Sequence, residues 1–156
     1  MNFTNGNQTL FMDPYVVYYP REGRNRCPSP VNGIGSGPDP RWENVRATMG
    51  YIRSYADRMN LAATTPRGKL SSTGHALSST GSAHPEFLIY APSGGTFTVD
   101  LSRLGGRILV EWMNPATGGK TPGADVIGGA TRTFTPPFEG DAVLYLNFQE
   151  PRSPER

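Results

Sequence analysis

The sequence predicts a mainly β protein: a small antiparallel β-sandwich of about seven strands, preceded by a strand, a loop and one amphipathic helix. Three observations carry this expectation. Near residue 70 the spacing of apolar residues changes from about 3.6 to about 2, the periods of a helix face and a strand face. Four segments rich in β-formers then follow: 86–91 (EFLIYA), 96–101 (TFTVDL), 107–113 (RILVEWM) and 141–148 (DAVLYLNF). The turn-forming runs SGG, LGG, NPATGG and PPFEG separate them. Finally, 19 Gly and 15 Pro make up more than a fifth of the 156 residues, which suits short strands and tight turns better than a helical bundle.

Each element follows in order. Residues 8–19 (QTLFMDPYVVYY) are β-branched and aromatic and read as a strand broken by Pro14. Residues 20–40, including NGIGSGPDP, have loop chemistry over a length that marks a functional or mobile loop. Asp39 and Pro40 form a helix start, because the Asp side chain accepts first-turn amides and Pro suits the first helical position. The helix runs to about Arg58, with Trp42, Val45, Met49, Ile52, Ala56 and Met59 on one apolar stripe that must pack on something. A Thr-Thr-Pro connector leads into the sandwich, so the chain divides into a segment 1–69, a β-sandwich module 70–149 and a flexible tail 150–156. Further strands are expected at 74–79, 121–127 and 131–135. In TFTVDL, Phe97, Val99 and Leu101 alternate with polar residues, so one face is apolar and one wet. In RILVEWM the inward face is that of Ile108, Val110 and Trp112.

Charge and motif arithmetic exclude several functions. Fifteen Lys and Arg against thirteen Asp and Glu leave +2, too little for a phosphate-neutralising stripe, so nucleic acid is not an expected partner. The single cysteine, Cys27, closes no internal disulfide. No basic-then-apolar leader and no run of about 18 apolar residues occurs, so neither an export signal nor a membrane span is expected. His75 and His84 have no Cys or carboxylate at ligand spacing, so no metal or other cofactor is expected. A triad assembled from His84, Ser93 and Asp100 lacks a GxSxG elbow, and GIGSG at 33–37 lacks the Lys-Ser/Thr pair of a phosphate loop. Asp39, Glu22 and Glu43 are not paired by spacing for acid/base work. The aromatic residues are weighed separately, since sugars stack their CH faces on exposed rings. Trp112 belongs to the core by its alternation, whereas Tyr90, Tyr145 and Phe138 are candidate ligand-binding rings, with the 20–40 loop and the TPPF turn as a rim.

The features YAPSGG, VDLS, VEWMNPATG and TFTPPFEGDAVLYL, in that order, resemble the small C-terminal domain known as the putative collagen-binding domain of a collagenase. In that family the domain commonly follows a glycoside-hydrolase-like (β/α)8 barrel, and residues 1–69 resemble the tail of such a barrel: 8–19 its last strand, 39–59 its last helix. The resemblance implies that Asp13, at the end of that strand, would line a sugar subsite in a complete barrel; its alternative role is that of a turn-capping carboxylate. The barrel strands that would carry a catalytic carboxylate pair are missing, so the chain is expected not to be an enzyme on its own but a non-catalytic accessory module, structural or carbohydrate- or matrix-binding. Two alternatives stand beside this: a fragment contributing to a glycosidase active site in a longer parent, and a module that self-associates. Expected partners are a polysaccharide or matrix polymer, and a catalytic barrel or a second copy docking on the 39–59 helix. The resemblance favours a secreted or envelope-associated parent.

Overall fold

The computed structural model describes residues 3–6, 42–79, 81 and 84–149 of the chain. The expected strand at 8–19, the loop at 20–40, the Asp39–Pro40 helix start, Asp13 and the tail at 150–156 lie outside the described residues. One helix, α1 (Glu43–Ala56), precedes nine described strands: β1 (Thr65–Pro66), β2 (Ala76–Ser78), β3 (Glu86–Ala91), β4 (Phe97–Asp100), β5 (Arg107–Met113), β6 (Lys120–Pro122), β7 (Val126–Ile127), β8 (Thr131–Phe134) and β9 (Ala142–Gln149). Among them are the four segments that the period-two pattern marks most strongly. The segment expected as one strand at 121–127 is two, because Gly123 turns inward, donates its N–H to the Val110 carbonyl at 2.8 Å, and leaves no room for a Cβ beside the Val110 and Trp112 side chains. β1 was hidden in the connector: it is two exposed residues ending in Pro, a composition that only a sheet edge tolerates.

The strands form a larger antiparallel sheet in the order β1-β2-β3-β9-β5-β6, with β7 also on β5, and a small β4-β8 sheet packed against it. Register decides which side chains share a face. Phe87, Leu146 and Val110 lie in one row and Ile89, Leu144 and Trp112 in the next, all pointing at the β4-β8 sheet. There they meet Phe97, Val99 and Phe134, and Trp112 lies edge-on to both Phe97 (centroids 6.0 Å) and Phe134 (6.4 Å). Trp112 is 4% exposed, in the core as its alternation predicts.

The opposite face of the larger sheet is also covered, by α1. A second apolar cluster joins Tyr55 and Met59 to Leu77, Leu88, Met113, Val143 and Tyr145. β3 is therefore buried on both faces, which explains why EFLIYA shows no alternation while FTVD does. Of the expected stripe, however, only Met59, just past the helix end, packs in this cluster. Tyr51, Tyr55 and Arg58 face the sheet, about a third of a turn away from the Val45, Met49 and Ile52 line, which is half-buried and part of neither cluster. Trp42, expected on the packed stripe, is 41% exposed.

The reason is polar complementarity. The sheet offers carboxylates on this face, and α1, the residues just after it and the sheet's own Tyr145 supply their partners. The Tyr55 hydroxyl donates to Glu111 Oε1 at 2.9 Å, and Arg58 pairs with the same carboxylate at 3.0 Å while lying over the Tyr145 ring at 4.2 Å. Tyr145 donates to Glu86, whose other oxygen accepts the Asn60 N–H at 3.1 Å. No purely apolar stripe could satisfy Glu111.

Candidate ligand-binding site

At the Tyr90 end of this face the helix and sheet diverge, leaving a cleft of about 480 Å3. Its floor is the row Tyr90, Val143 and Met113, brought side by side by strand register. Tyr51, Ile52 and Thr48 of α1 form one wall, and the loops Asn114–Ala116 and Glu139–Asp141 form the rim. The lining is thus apolar and aromatic below and polar above, the usual make-up of a small-molecule site, and the volume lies within the roughly 300–1,000 Å3 such sites occupy.

The rim is built by the turns the sequence marked. Asn114 Oδ1 accepts the Ala116 N–H at 2.9 Å, and Gly118, at φ 72°, closes the turn by donating to the Asn114 carbonyl at 2.7 Å. The Tyr51 hydroxyl bonds the Thr117 carbonyl at 3.1 Å, and its ring lies so close to Gly118 that an added Cβ would sit 2.3 Å from it. Gly118→Ala therefore meets both a left-handed backbone, worth about 1–2 kcal/mol of strain, and a clash that expels the Tyr51 ring. Thermal unfolding of this variant is expected to shift down by several degrees, with quenching of the Tyr51 environment. On the opposite rim Gly94 approaches the Gly140 carbonyl, so the YAPSGG and PPFEG turns hold each other.

Tyr90 donates to Asp141 Oδ2 at 2.5 Å. Burial first, and then this carboxylate, pushes its phenol up to about 12. Burial raises Tyr55 and Tyr145 further, each helped by the carboxylate it donates to, Glu111 and Glu86. A phenol whose pKa is higher folded than unfolded binds its proton more tightly in the native state, so stability falls as pH rises once the unfolded chain begins to ionise near pH ~10. The melting temperature should hold up to about pH 10 and then fall through pH 12, with tyrosinate absorbance appearing together with unfolding.

The residues expected from sequence are dispersed. Tyr90 is half-buried in the cleft. Tyr145, expected as a candidate ligand-binding ring, does not leave its ring at the surface; it is 5% exposed beneath Arg58 and Tyr55. Phe138 turns its ring to the inner core, although its neighbours Glu139 and Gly140 reach the rim. Asp13 lies outside the described residues. The His84, Ser93 and Asp100 set is not assembled: His84 precedes β3 and Ser93 follows it, and six extended residues separate the two ends by roughly 17 Å. Sequence reasoning missed Tyr51, Asn114 and Asp141; the only signal for the last two was their place in NPATGG and PPFEGD, the turns beside the strand ends.

Comparisons with known proteins agree with this fold. A glycoside hydrolase matches at a TM-score of 0.50 and 15% identity over 64% of this chain and 24% of its own. A glycoside hydrolase family 5 protein from Bacteroides vulgatus matches at 0.51 and 16% over 64% of this chain and 23% of its own. At such identities the likeness is one of fold, and the chain spans about a quarter of the length of each. No curated protein matches. Residues 67–147, just over half of the chain, match the family described as "Putative collagen-binding domain of a collagenase", with the YAPSGG, NPATGG and PPFEGD turns that build the rim inside the matched span, and the chain belongs to that family.

Proposed function

We propose that this chain is a non-catalytic accessory module that holds carbohydrate for a glycoside-hydrolase barrel. The observation that carries the reading is the Tyr51–Tyr90 cleft, where half-buried rings meet a rim of Asn114, Glu139 and Asp141. Sugar rings present CH faces to aromatic side chains and hydroxyls to polar rims, so the arrangement suits them. Collagen, three chains wound into one rod, suits a cavity of this volume poorly. The glycoside-hydrolase setting is supported by the family and by the two structural neighbours, each about four times as long as the part matched.

The test is a pull-down and calorimetric screen of the chain against soluble and insoluble polysaccharides and collagen. Saturable glycan binding is expected, weakened about tenfold, or 1.4 kcal/mol, by Tyr90→Ala or Tyr51→Ala at unchanged circular dichroism. Hydrolysis by the chain alone, or binding indifferent to both substitutions, would overturn the reading.

A second reading is favoured by the half-buried line of Val45, Met49 and Ile52, which joins neither core cluster. This face would dock on a catalytic barrel or on a second copy of the chain. A strict monomer in gel filtration at high concentration would remove the second copy and leave the barrel.

A further inference from the structure

We infer that the cleft is selective for uncharged sugar units and turns away anionic ones, such as uronates. The inference rests on the carbohydrate reading above and adds the charge class of the ligand.

Its first support is the charge of the lining. Glu139 and Asp141 both stand at the rim, and among the described lining residues there is no Lys, Arg or His. Arg58 and Lys120, the cations that reach the Tyr55 ring at 4.9 Å, belong to the neighbouring groove, where Arg58 pairs with Glu111 and Lys120 reaches Ser54. His75 lies 6.1 Å from the Tyr90 ring but is held by Asn5 and is outside the lining. A carboxylate or sulfate entering the cleft would therefore meet two like charges, with no cation among the described lining residues to offset them; both carboxylates are exposed, so the repulsion is screened by salt.

The second support is the direction of the hydrogen bonds. Tyr90 has committed its proton to Asp141 Oδ2, so this pair presents acceptors to a ligand: the phenol oxygen and the second carboxylate oxygen. Asn114 has committed its Oδ1 to the Ala116 N–H, which leaves its amide as a donor on the opposite rim. A neutral sugar supplies hydroxyls that donate to the first set and accept from the second. An ionised acid group has no proton to donate, and two of the three polar positions would face it lone pair to lone pair.

The test uses matched oligosaccharides that differ only at C6: glucose, galactose and mannose oligomers against glucuronate, galacturonate and mannuronate oligomers, titrated calorimetrically at low salt. At least one neutral series should bind about tenfold or more tighter than its uronate counterpart, and the gap should narrow as salt is raised. Glu139→Gln with Asp141→Asn keeps size and hydrogen-bonding reach while removing both charges, and should shrink the gap severalfold at unchanged circular dichroism. Uronates binding as tightly as their neutral partners, or a gap that survives the double substitution, would overturn the inference while leaving carbohydrate binding in place. No binding in any series would remove the carbohydrate reading and the inference together.

Discussion

Trp112→Ala is expected to lower stability by about 3–5 kcal/mol, the range for deleting a large buried ring. Trp112 is where three strands meet in one contact. It faces the β4-β8 sheet from β5, edge-on to Phe97 and Phe134, while those two rings stack on each other at 6.2 Å. Gly123 passes so close to its indole nitrogen that the neighbouring edge is shaped to it. Among the described residues the small sheet has two strands, Phe97–Asp100 and Thr131–Phe134, with β4 also bridged at Val99 to Ser71, so it depends heavily on the apolar face that Trp112 supplies. Loss at this site should therefore loosen β4 and β8 before the rest, and hydrogen exchange of Val99 and Arg132 should accelerate ahead of Leu144 and Leu146. Thermal unfolding should fall by roughly 10–20 °C. A loss below 1 kcal/mol would mean that the two sheets are held by something other than this aromatic contact.

Glu86→Ala should have the second-largest effect, through stranded donors rather than a cavity. Glu86 is only 8% exposed and accepts from the Tyr145 hydroxyl with one oxygen and the Asn60 N–H with the other. Removing the carboxylate leaves two donors without it, each costing about 1–3 kcal/mol. Tyr145→Phe removes one of those donors, so the double variant should be more stable than the sum of the single losses predicts, by roughly 0.5–3 kcal/mol. Chemical denaturation of the four proteins measures this coupling. Strict additivity would show that Tyr145 and Glu86 do not depend on each other. The same cycle reports on the cleft, because Tyr145 lies beneath Tyr55, and the helix that carries Tyr55 also carries the Tyr51 wall.

The strands were legible because their signals are local. Alternation in FTVD, turn glycines at fixed places and runs of β-formers depend on neighbours in sequence, and the backbone obeys them almost residue for residue at 86–91 and 107–113. The burial of β3 and β9 on both faces was not read from the sequence; it emerged only with α1 on the far face of the sheet. Tyr90 could be singled out as a ring near a strand end.

The helix face and the full membership of the cleft were not legible, for one physical reason. An amphipathic stripe records where apolar residues lie, but a helix docks where its whole surface, polar groups included, best matches its partner. Here the sheet carboxylate Glu111 had to be met, and its pairing with Tyr55 and Arg58 outweighed the Val45, Met49 and Ile52 line. Likewise Tyr51, Met113 and Asp141 are 28 to 90 residues apart in the chain and share one cleft only because β5 and β9 are neighbours and α1 crosses them. Period, turn chemistry and strand identity are properties of short stretches and were present in the sequence alone. Which faces meet, and hence which side chains line the cleft, is a property of long-range pairing, and the tertiary structure decided it.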